Sequence, residues 1–179
     1  MYIEFSLNKE DYLVFQLYAS SQSKALRNSI LKSWFLTPIF FIAIGMSFYF
    51  YMGIIYPIAF FSTAFVWIIV YPVYSRRILV RNYTKNIDEY YGSRFGKTGK
   101  LTINEENIIM EDLSGETKLR FNEVVQIIEI QEYYFLGLKN GSSIIIPKNR
   151  VDYFTLLKFM NKIAEKTNVA IFKNLTWKW

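Results

Sequence analysis

The sequence predicts an α+β membrane protein, in which a transmembrane hairpin of two helices is joined to a cytosolic antiparallel-sheet domain with a C-terminal helix. Two observations lead to this prediction. Residues 33–75 form a run of 43 residues without one Asp, Glu, Lys or Arg, whereas residues 96–179 consist of short apolar segments separated by turn residues. The first pattern is typical of a membrane segment, and the second is typical of an antiparallel sheet.

The uncharged run is long enough for two membrane passes. One helix crosses the hydrocarbon core with about 20 residues, so 43 residues are enough for two helices and too many for one. Gly53 loosens a helix near the middle of the run, and Pro57 is tolerated in the first turn of a second helix. We therefore expect spans at residues 34–51 and 54–74. Aromatic residues that favour interfaces lie at the inner edge (Trp34, Tyr71, Tyr74) and at the outer edge (Tyr49, Tyr51, Tyr56).

Basic residues flank the pair of spans on both sides, and the turn between the spans is uncharged. Lys and Arg beside a span are retained in the cytoplasm, and no acidic residue occurs between residues 12 and 87. Both termini are therefore predicted to be cytoplasmic. Each such charge also attracts anionic lipid headgroups, by about 1 kcal/mol near the surface. The basic residues predicted at the membrane interface are Lys24, Arg27, Lys32, Arg76, Arg77, Arg81 and Lys85.

Composition excludes several classes of function. The net charge is +6, but residues 1–95 carry nine basic and five acidic residues, and residues 96–179 carry twelve and ten. The excess lies mostly beside the membrane, so no nucleic-acid partner is indicated. The chain has no Cys and no His, which removes thiolate metal sites and the Ser-His-Asp triad. We expect no catalytic residues, no metal ligands and no cofactor, and we predict that the protein is not an enzyme.

The spans also lack the ionisable groups that line the pathways of transporters and channels. Their small residues, among them Gly45 and Ala64, are instead expected to let the two helices pack closely.

Apolar periodicity predicts the elements before and after the spans. Residues 2–7 alternate like a half-buried strand, and a helix is expected from Lys9, where Asn8 and Asp11 resemble an N-cap arrangement. A helical stalk is expected over residues 76–91, ending at Gly92.

The C-terminal part is predicted to form a six-stranded meander followed by one amphipathic helix. Asn140-Gly141 is the strongest hairpin signal, and Ser114-Gly115 marks another turn. Asp152 is the expected N-cap of the final helix, whose apolar positions are Tyr153, Leu156, Leu157, Met160 and Ile163. The predicted strands are residues 99–104, 108–112, 117–121, 125–130, 133–139 and 142–148.

These elements define four predicted regions: residues 1–33, a cytosolic strand and helix; 34–75, the hairpin; 76–95, the stalk; and 96–179, the sheet domain. Six strands and a closing helix follow the element order of a pleckstrin-homology-like fold, which has one strand more. Residues 2–7 are a candidate for the additional strand, and the sequence leaves open whether they join the C-terminal sheet, because closing so long a loop is costly.

Several motifs resemble the YcxB-like family of small bacterial membrane proteins. They are "FSLNKEDYLVFQLY", "RRILVRNY", "GKLTINEENI", "LRFNEVVQIIEIQEYYFLGL" and "IIIPKNRV", together with the uncharged hairpin. The chain departs from the family at Phe121, where the family typically has Trp. The resemblance implies a multi-pass protein of the bacterial inner membrane, with a YcxB-like domain in the cytosol and no established activity.

One group of residues is a candidate for a binding face. Lys97, Lys100, Lys118 and Arg120 lie on neighbouring predicted strands and are candidates for a headgroup or partner face. The alternative is an ordinary solvated surface, because Glu105, Glu106 and Glu116 lie in the same turns and weaken the field. Glu111 and Asp112 are expected to be solvated, and Glu129 and Glu132 are expected to protect exposed strand edges.

The leading hypothesis is a non-enzymatic membrane protein that presents a pleckstrin-homology-like domain for binding lipid headgroups or a protein partner. The alternative is an immunity protein that protects the producer cell from a toxin. The sequence identifies neither the ligand nor the oligomeric state.

Overall fold

The computed structural model describes residues 1–53, 55–112 and 115–179, and it is α+β, as predicted. Ile54 of the predicted second span and Ser114 of a predicted turn lie outside the described residues, as does the side chain of Tyr56. The helices are α1 (Lys9–Gln22), α2 (Lys24–Met52), α3 (Ile55–Tyr91) and α4 (Tyr153–Thr167). The strands are β1 (Tyr2–Ser6), β2 (Thr98–Ile103), β3 (Asn107–Asp112), β4 (Gly115–Arg120), β5 (Val124–Glu129), β6 (Tyr133–Leu138), β7 (Ser143–Pro147) and β8 (Ile171–Lys173).

The chain divides into two compact units. Residues 1–15 and 86–179 form the sheet unit, and residues 16–85 form the helical unit.

The sheet unit contains two four-stranded sheets. One has the order β1-β2-β3-β4 and is antiparallel throughout, and the other has the order β7-β6-β5-β8, in which β8 runs parallel to β5. Residues 2–6 join the C-terminal sheet as β1, which pairs with β2. Tyr2 lies opposite Thr102, and Ser6 lies opposite Thr98. The sheet unit is therefore completed by a strand that precedes both long helices in the chain.

The six predicted strands are present with bounds within two residues of those expected. Gly141 has φ +83° in the turn between β6 and β7, a conformation that favours glycine and that the Asn140-Gly141 pair predicted. Strand β8 was not predicted, since three residues are too few to show an alternating pattern.

Helix α4 covers the core of the sheet unit. The Asp152 side chain accepts a hydrogen bond from the Thr155 amide at 2.9 Å, so Asp152 is the predicted N-cap. The apolar stripe differs in part from the prediction: Tyr153 and Leu157 are 64% and 38% exposed, and Phe159, which was not anticipated, is fully buried. The buried residues of α4 are Leu156, Phe159, Met160 and Ile163.

The helical unit contains the uncharged run. Helices α2 and α3 have 29 and 37 residues, or about 44 and 55 Å at 1.5 Å per residue. Both are long and apolar enough to cross a membrane, and only 11% and 6% of their most apolar windows are buried. The predicted break lies at Gly53, which has φ +79°. The predicted stalk is continuous with the second apolar segment in α3.

Contacts along the two helices show that they run antiparallel. The rings of Phe48 and Phe60 are stacked with centroids 5.4 Å apart, and a Cβ added at Gly45 would lie 2.9 Å from the Phe61 ring. Farther from the turn, the Trp34 indole Nε1 donates to the Ile68 carbonyl at 3.0 Å. That carbonyl lacks its usual helical donor, because residue 72 is Pro and has no N–H. Trp34 therefore satisfies a backbone acceptor that Pro72 leaves open.

Replacing Trp34 by Phe is expected to weaken the helix pair by about 0.5–2 kcal/mol, since hydrogen bonds between helices in apolar surroundings are worth this much. The measurement is an SDS titration of the full-length protein in mixed micelles. Energy transfer between dyes attached at Ile42→Cys and Phe65→Cys reports the separation of the two helices. Trp67→Phe is the matched control, because the buried Trp67 Nε1 has no hydrogen-bond partner among the described residues. Equal losses in both variants would contradict the role given to Trp34.

Candidate functional site

The strand register places three of the four predicted face residues on one surface. Lys100 lies opposite Glu111, Lys118 opposite Ile109 and Arg120 opposite Asn107. These residues alternate with the buried Leu101 and Leu119, so they share the outer face of the first sheet. Lys97 precedes β2.

The outer face is not uniformly basic. Glu4, Lys100, Glu111 and Glu116 form one row across the four strands, and Lys118 pairs with Glu116 at 3.2 Å. Acidic residues therefore match the basic residues of this face, and the field that the four cations alone would produce is reduced.

The four cations also separate into two places. Lys97 and Lys100 lie at a cleft that we call the basic-rimmed cleft, whereas Lys118 and Arg120 lie at a shallow hollow with Glu106 and Glu123. The hollow carries equal numbers of basic and acidic groups. The sequence did not show this separation, because it depends on which ends of the strands meet.

The basic-rimmed cleft has an apolar floor and a charged rim. Strands β1, β2, β3 and β7 all contribute to it, so it lies where the two sheets meet at one end of the unit. The rim residues are Arg94, Lys97, Lys100 and Asp112, with Tyr12 and Thr98 beside them. The floor residues are Phe5, Leu7, Leu101, Met110 and Ile144.

Tyr12 forms one wall of the cleft. Its ring stacks on Tyr91 at 4.6 Å and lies 5.9 Å from the ring of Phe95. Burial raises the pKa of Tyr12, and the positive charge of Arg94 opposes that rise. The hydroxyl therefore remains a neutral hydrogen-bond donor at physiological pH.

Two rim cations are exposed and unpaired. Arg94 and Lys97 form no ion pair with any described residue. The Lys100 ammonium lies over the Tyr2 ring at 4.7 Å from its centroid. The cleft thus offers an apolar surface next to cations that have free hydrogen-bond donors.

A second polar cluster surrounds the buried side chain of Asp11. Arg150 donates to both carboxylate oxygens, at 2.5 and 3.3 Å, and the Tyr133 hydroxyl donates at 2.8 Å. The Asn8 amide also donates to the carboxylate at 2.5 Å, as the predicted N-cap arrangement implied, and Arg150 reaches the Ser6 carbonyl. Burial raises the pKa of Tyr133, and the hydrogen bond to Asp11 raises it further. The cluster fastens the N-terminal segment to the C-terminal sheet.

Glu129 does not lie at an exposed strand edge, contrary to the prediction from the sequence. Strand β5 lies between β6 and β8, so Glu129 is not on an open edge. Its side chain is 13% exposed and accepts from Lys148 at 2.7 Å, with Lys173 at 3.8 Å. Burial opposes ionisation, but hydrogen bonds from Lys148 and Tyr134 outweigh it, and the pKa of Glu129 is lowered. No local pattern predicts this ion pair, because Lys148 lies 19 residues from Glu129 in the chain.

The ion pair between Glu129 and Lys148 predicts a specific pH dependence of stability. Since the folded state lowers the pKa of Glu129, its contribution is fully present above the ordinary carboxyl value of 4.5 and is lost as pH falls through the lowered value. Glu129→Gln is expected to cost about 1–3 kcal/mol at pH 7 and to flatten the loss of stability in acid. Thermal unfolding between pH 3 and 7 measures it, with the exposed Glu132→Gln as control. Parallel pH curves for Glu129→Gln and the unsubstituted protein would contradict this role.

The predicted interface cations lie at one end of the antiparallel helix pair. They occupy the first part of α2 and the second half of α3, on both sides of the uncharged segments. All seven are exposed: Lys24, Arg27, Lys32, Arg76, Arg77, Arg81 and Lys85.

The acidic residues form no metal-binding group in the part of the chain that the structure describes. No group of three or more His, Cys, Asp or Glu there has the geometry to hold a metal ion. Glu111 lies on the outer face of the first sheet opposite Lys100, and Asp112 lies at the cleft rim.

Comparisons with known proteins give one match. No curated protein and no solved structure is significantly similar to the chain. The model of one family, described as YcxB-like protein, matches residues 103–160, which run from the end of β2 into α4. The resemblance read from the sequence is confirmed over this segment, and the chain carries a YcxB-like domain.

Proposed function

We propose that this chain is an integral protein of the bacterial inner membrane that presents the sheet unit in the cytoplasm to bind anionic lipid headgroups. In this proposal α2 and α3 form a transmembrane hairpin, both termini are cytoplasmic, and the protein is not an enzyme. One observation carries the topology. Strands β1 and β2, which precede and follow the two apolar helices, pair with each other. They must lie on the same side of a membrane, which requires an even number of crossings.

Two further observations support membrane insertion. The apolar side chains of α2 and α3 remain largely uncovered by the rest of the protein, as expected for helices whose solvent is lipid. The seven exposed cations at one end of the helix pair agree with a cytoplasmic interface.

Seven antiparallel strands in two sheets, followed by α4, support a pleckstrin-homology-like architecture for the sheet unit. Strand β1 supplies the strand that the meander alone lacks, and β8 is an addition. Since a fold does not determine function, the headgroup proposal rests on the cations of the basic-rimmed cleft, Arg94, Lys97 and Lys100, of which the first two form no ion pair with any described residue.

Accessibility labelling tests the topology. Single cysteines at Gly53, Lys9 and Lys139 can be compared directly, because the chain has no cysteine of its own. With a membrane-impermeant maleimide on intact cells, we expect labelling at position 53 only. Labelling at position 9 or 139 in intact cells would overturn the proposed orientation, and release of the protein from membranes by carbonate would overturn insertion.

Lipid binding is tested by crosslinking the tagged full-length protein in cells and measuring both co-purifying proteins and lipids. Lys97→Gln/Lys100→Gln is expected to reduce anionic-lipid enrichment, while Lys118→Gln/Arg120→Gln, which removes the same charge elsewhere, leaves it largely unchanged. Headgroup binding would be rejected if neither double variant reduced the anionic-lipid enrichment and both retained one dominant protein partner. That result would favour the protein-binding or immunity alternative.

A further inference from the structure

The basic-rimmed cleft differs from a surface that only attracts phosphate groups, because its floor is apolar. Four hydrophobic side chains from four strands and Leu7, which follows β1, line the floor, and three cations stand at the rim against one carboxylate. Leu101 and Ile144 are 1% and 6% exposed, so the floor continues into the core between the sheets. A simple inorganic anion would leave this floor in contact with water.

The cleft therefore matches a molecule with an acidic end and an apolar chain. We propose that it binds a single-chain anionic amphiphile, with the acidic group at Arg94 and Lys97 and the first carbons of the chain on the floor at Met110. Arg94 and Lys97 provide donors that no ion pair occupies in the described residues, and an ionised acceptor makes the strongest hydrogen bonds with them. This inference deepens the proposed function and rests on it.

Steric features of the cleft favour one chain over two. The cleft has a volume of about 50 Å³, enough for a segment of one chain beside the floor. Met110 is partly buried and packs against the core, and its flexible thioether allows the floor to adapt to a chain.

Photo-crosslinking of the full-length protein in nanodiscs of zwitterionic lipid tests the inference. The probes are decanoate and decyl phosphate, each with a diazirine at the third carbon of the chain, and decanol with the same diazirine is the uncharged control. We expect both acidic probes to label peptides around Leu101 or Met110, and we expect decanol to label them at least about tenfold less, which corresponds to 1.4 kcal/mol.

Three variants distinguish binding in the cleft from general electrostatic attraction to the basic surface. Met110→Trp fills the floor, and Arg94→Gln/Lys97→Gln removes the unpaired cations; each is expected to reduce labelling by at least about tenfold. Lys118→Gln/Arg120→Gln removes two charges from the same sheet and should leave labelling unchanged. Thermal unfolding of each variant establishes that the domain is folded, and for a misfolded Met110→Trp, Met110→Phe replaces it.

The inference is overturned if decanol labels as strongly as the acidic probes, or if filling the floor leaves labelling unchanged. In that event, anionic-lipid enrichment that still depends on Lys97 and Lys100 would leave the proposed function standing. Absence of anionic-lipid enrichment in the unsubstituted protein, together with probe labelling that depends on the cleft as expected, would reject the proposed function alone.

Discussion

Replacing Ile3 and Phe5 together by Ala is expected to unfold the sheet unit. Both side chains point into the core and are 2% and 9% exposed. Large-to-small changes of buried Ile and Phe cost about 2–5 and 3–5 kcal/mol. Their sum is comparable to the total stability of a typical domain, about 5–15 kcal/mol. Circular dichroism and limited proteolysis of the full-length protein in micelles measure the effect, as loss of sheet signal and rapid cleavage after residue 96.

The alternation of β1 provides a matched control. Tyr2 and Glu4 lie on the opposite face of the same strand and are exposed, so Tyr2→Ala/Glu4→Ala keeps the backbone pairing with β2 and is expected to cost less than about 1 kcal/mol. If the two double variants lost stability equally, β1 would not contribute its side chains to the core.

Asp11→Ala is expected to destabilise the sheet unit by about 2–4 kcal/mol, because it removes a buried carboxylate and leaves the Tyr133 hydroxyl and the partly buried Arg150 guanidinium without their acceptor. Asp11 is 1% exposed and accepts hydrogen bonds from Arg150, Tyr133 and the Asn8 amide. Thermal unfolding of the full-length protein provides the measurement. In a double-mutant cycle with Arg150→Met, the double variant should lose less stability than the sum of the losses of the two single variants.

An exposed ion pair in the same unit serves as the control for this cycle. Lys9 and Asp88 lie 2.6 Å apart, but their side chains are 35% and 50% exposed, so Asp88→Ala should cost at most about 1 kcal/mol. A loss for Asp11→Ala no larger than that for Asp88→Ala would show that the buried cluster does not stabilise the attachment of the N-terminal segment.

Local signals predicted most elements of this fold. The absence of charge over residues 33–75 predicts two long apolar helices, and α2 and α3 lie over this run. Alternation and turn residues mark the strands within two residues, and Asp152 marks the start of α4. In each case the physical cause lies within a few residues of the chain.

Features that depend on distant partners were not predictable in the same way. Alternation identifies β1 as a strand but does not identify β2 as its neighbour, and the N-cap pattern at Asp11 gives no indication of Arg150. Glu129 has the sequence environment of a surface charge until β8 covers the edge of β5. The basic-rimmed cleft exists only because four strands separated in sequence end at one place.

The pairing of β1 with β2 has a consequence for biosynthesis. Residues 2–6 leave the ribosome before both apolar helices, but their partner, residues 98–102, follows only after those helices have been made. At about 5–20 residues per second, β1 waits roughly 5–20 s as an unpaired apolar strand. A nascent chain arrested before residue 98 should therefore be recognised by chaperones that bind exposed strands, and release of β2 should end that recognition.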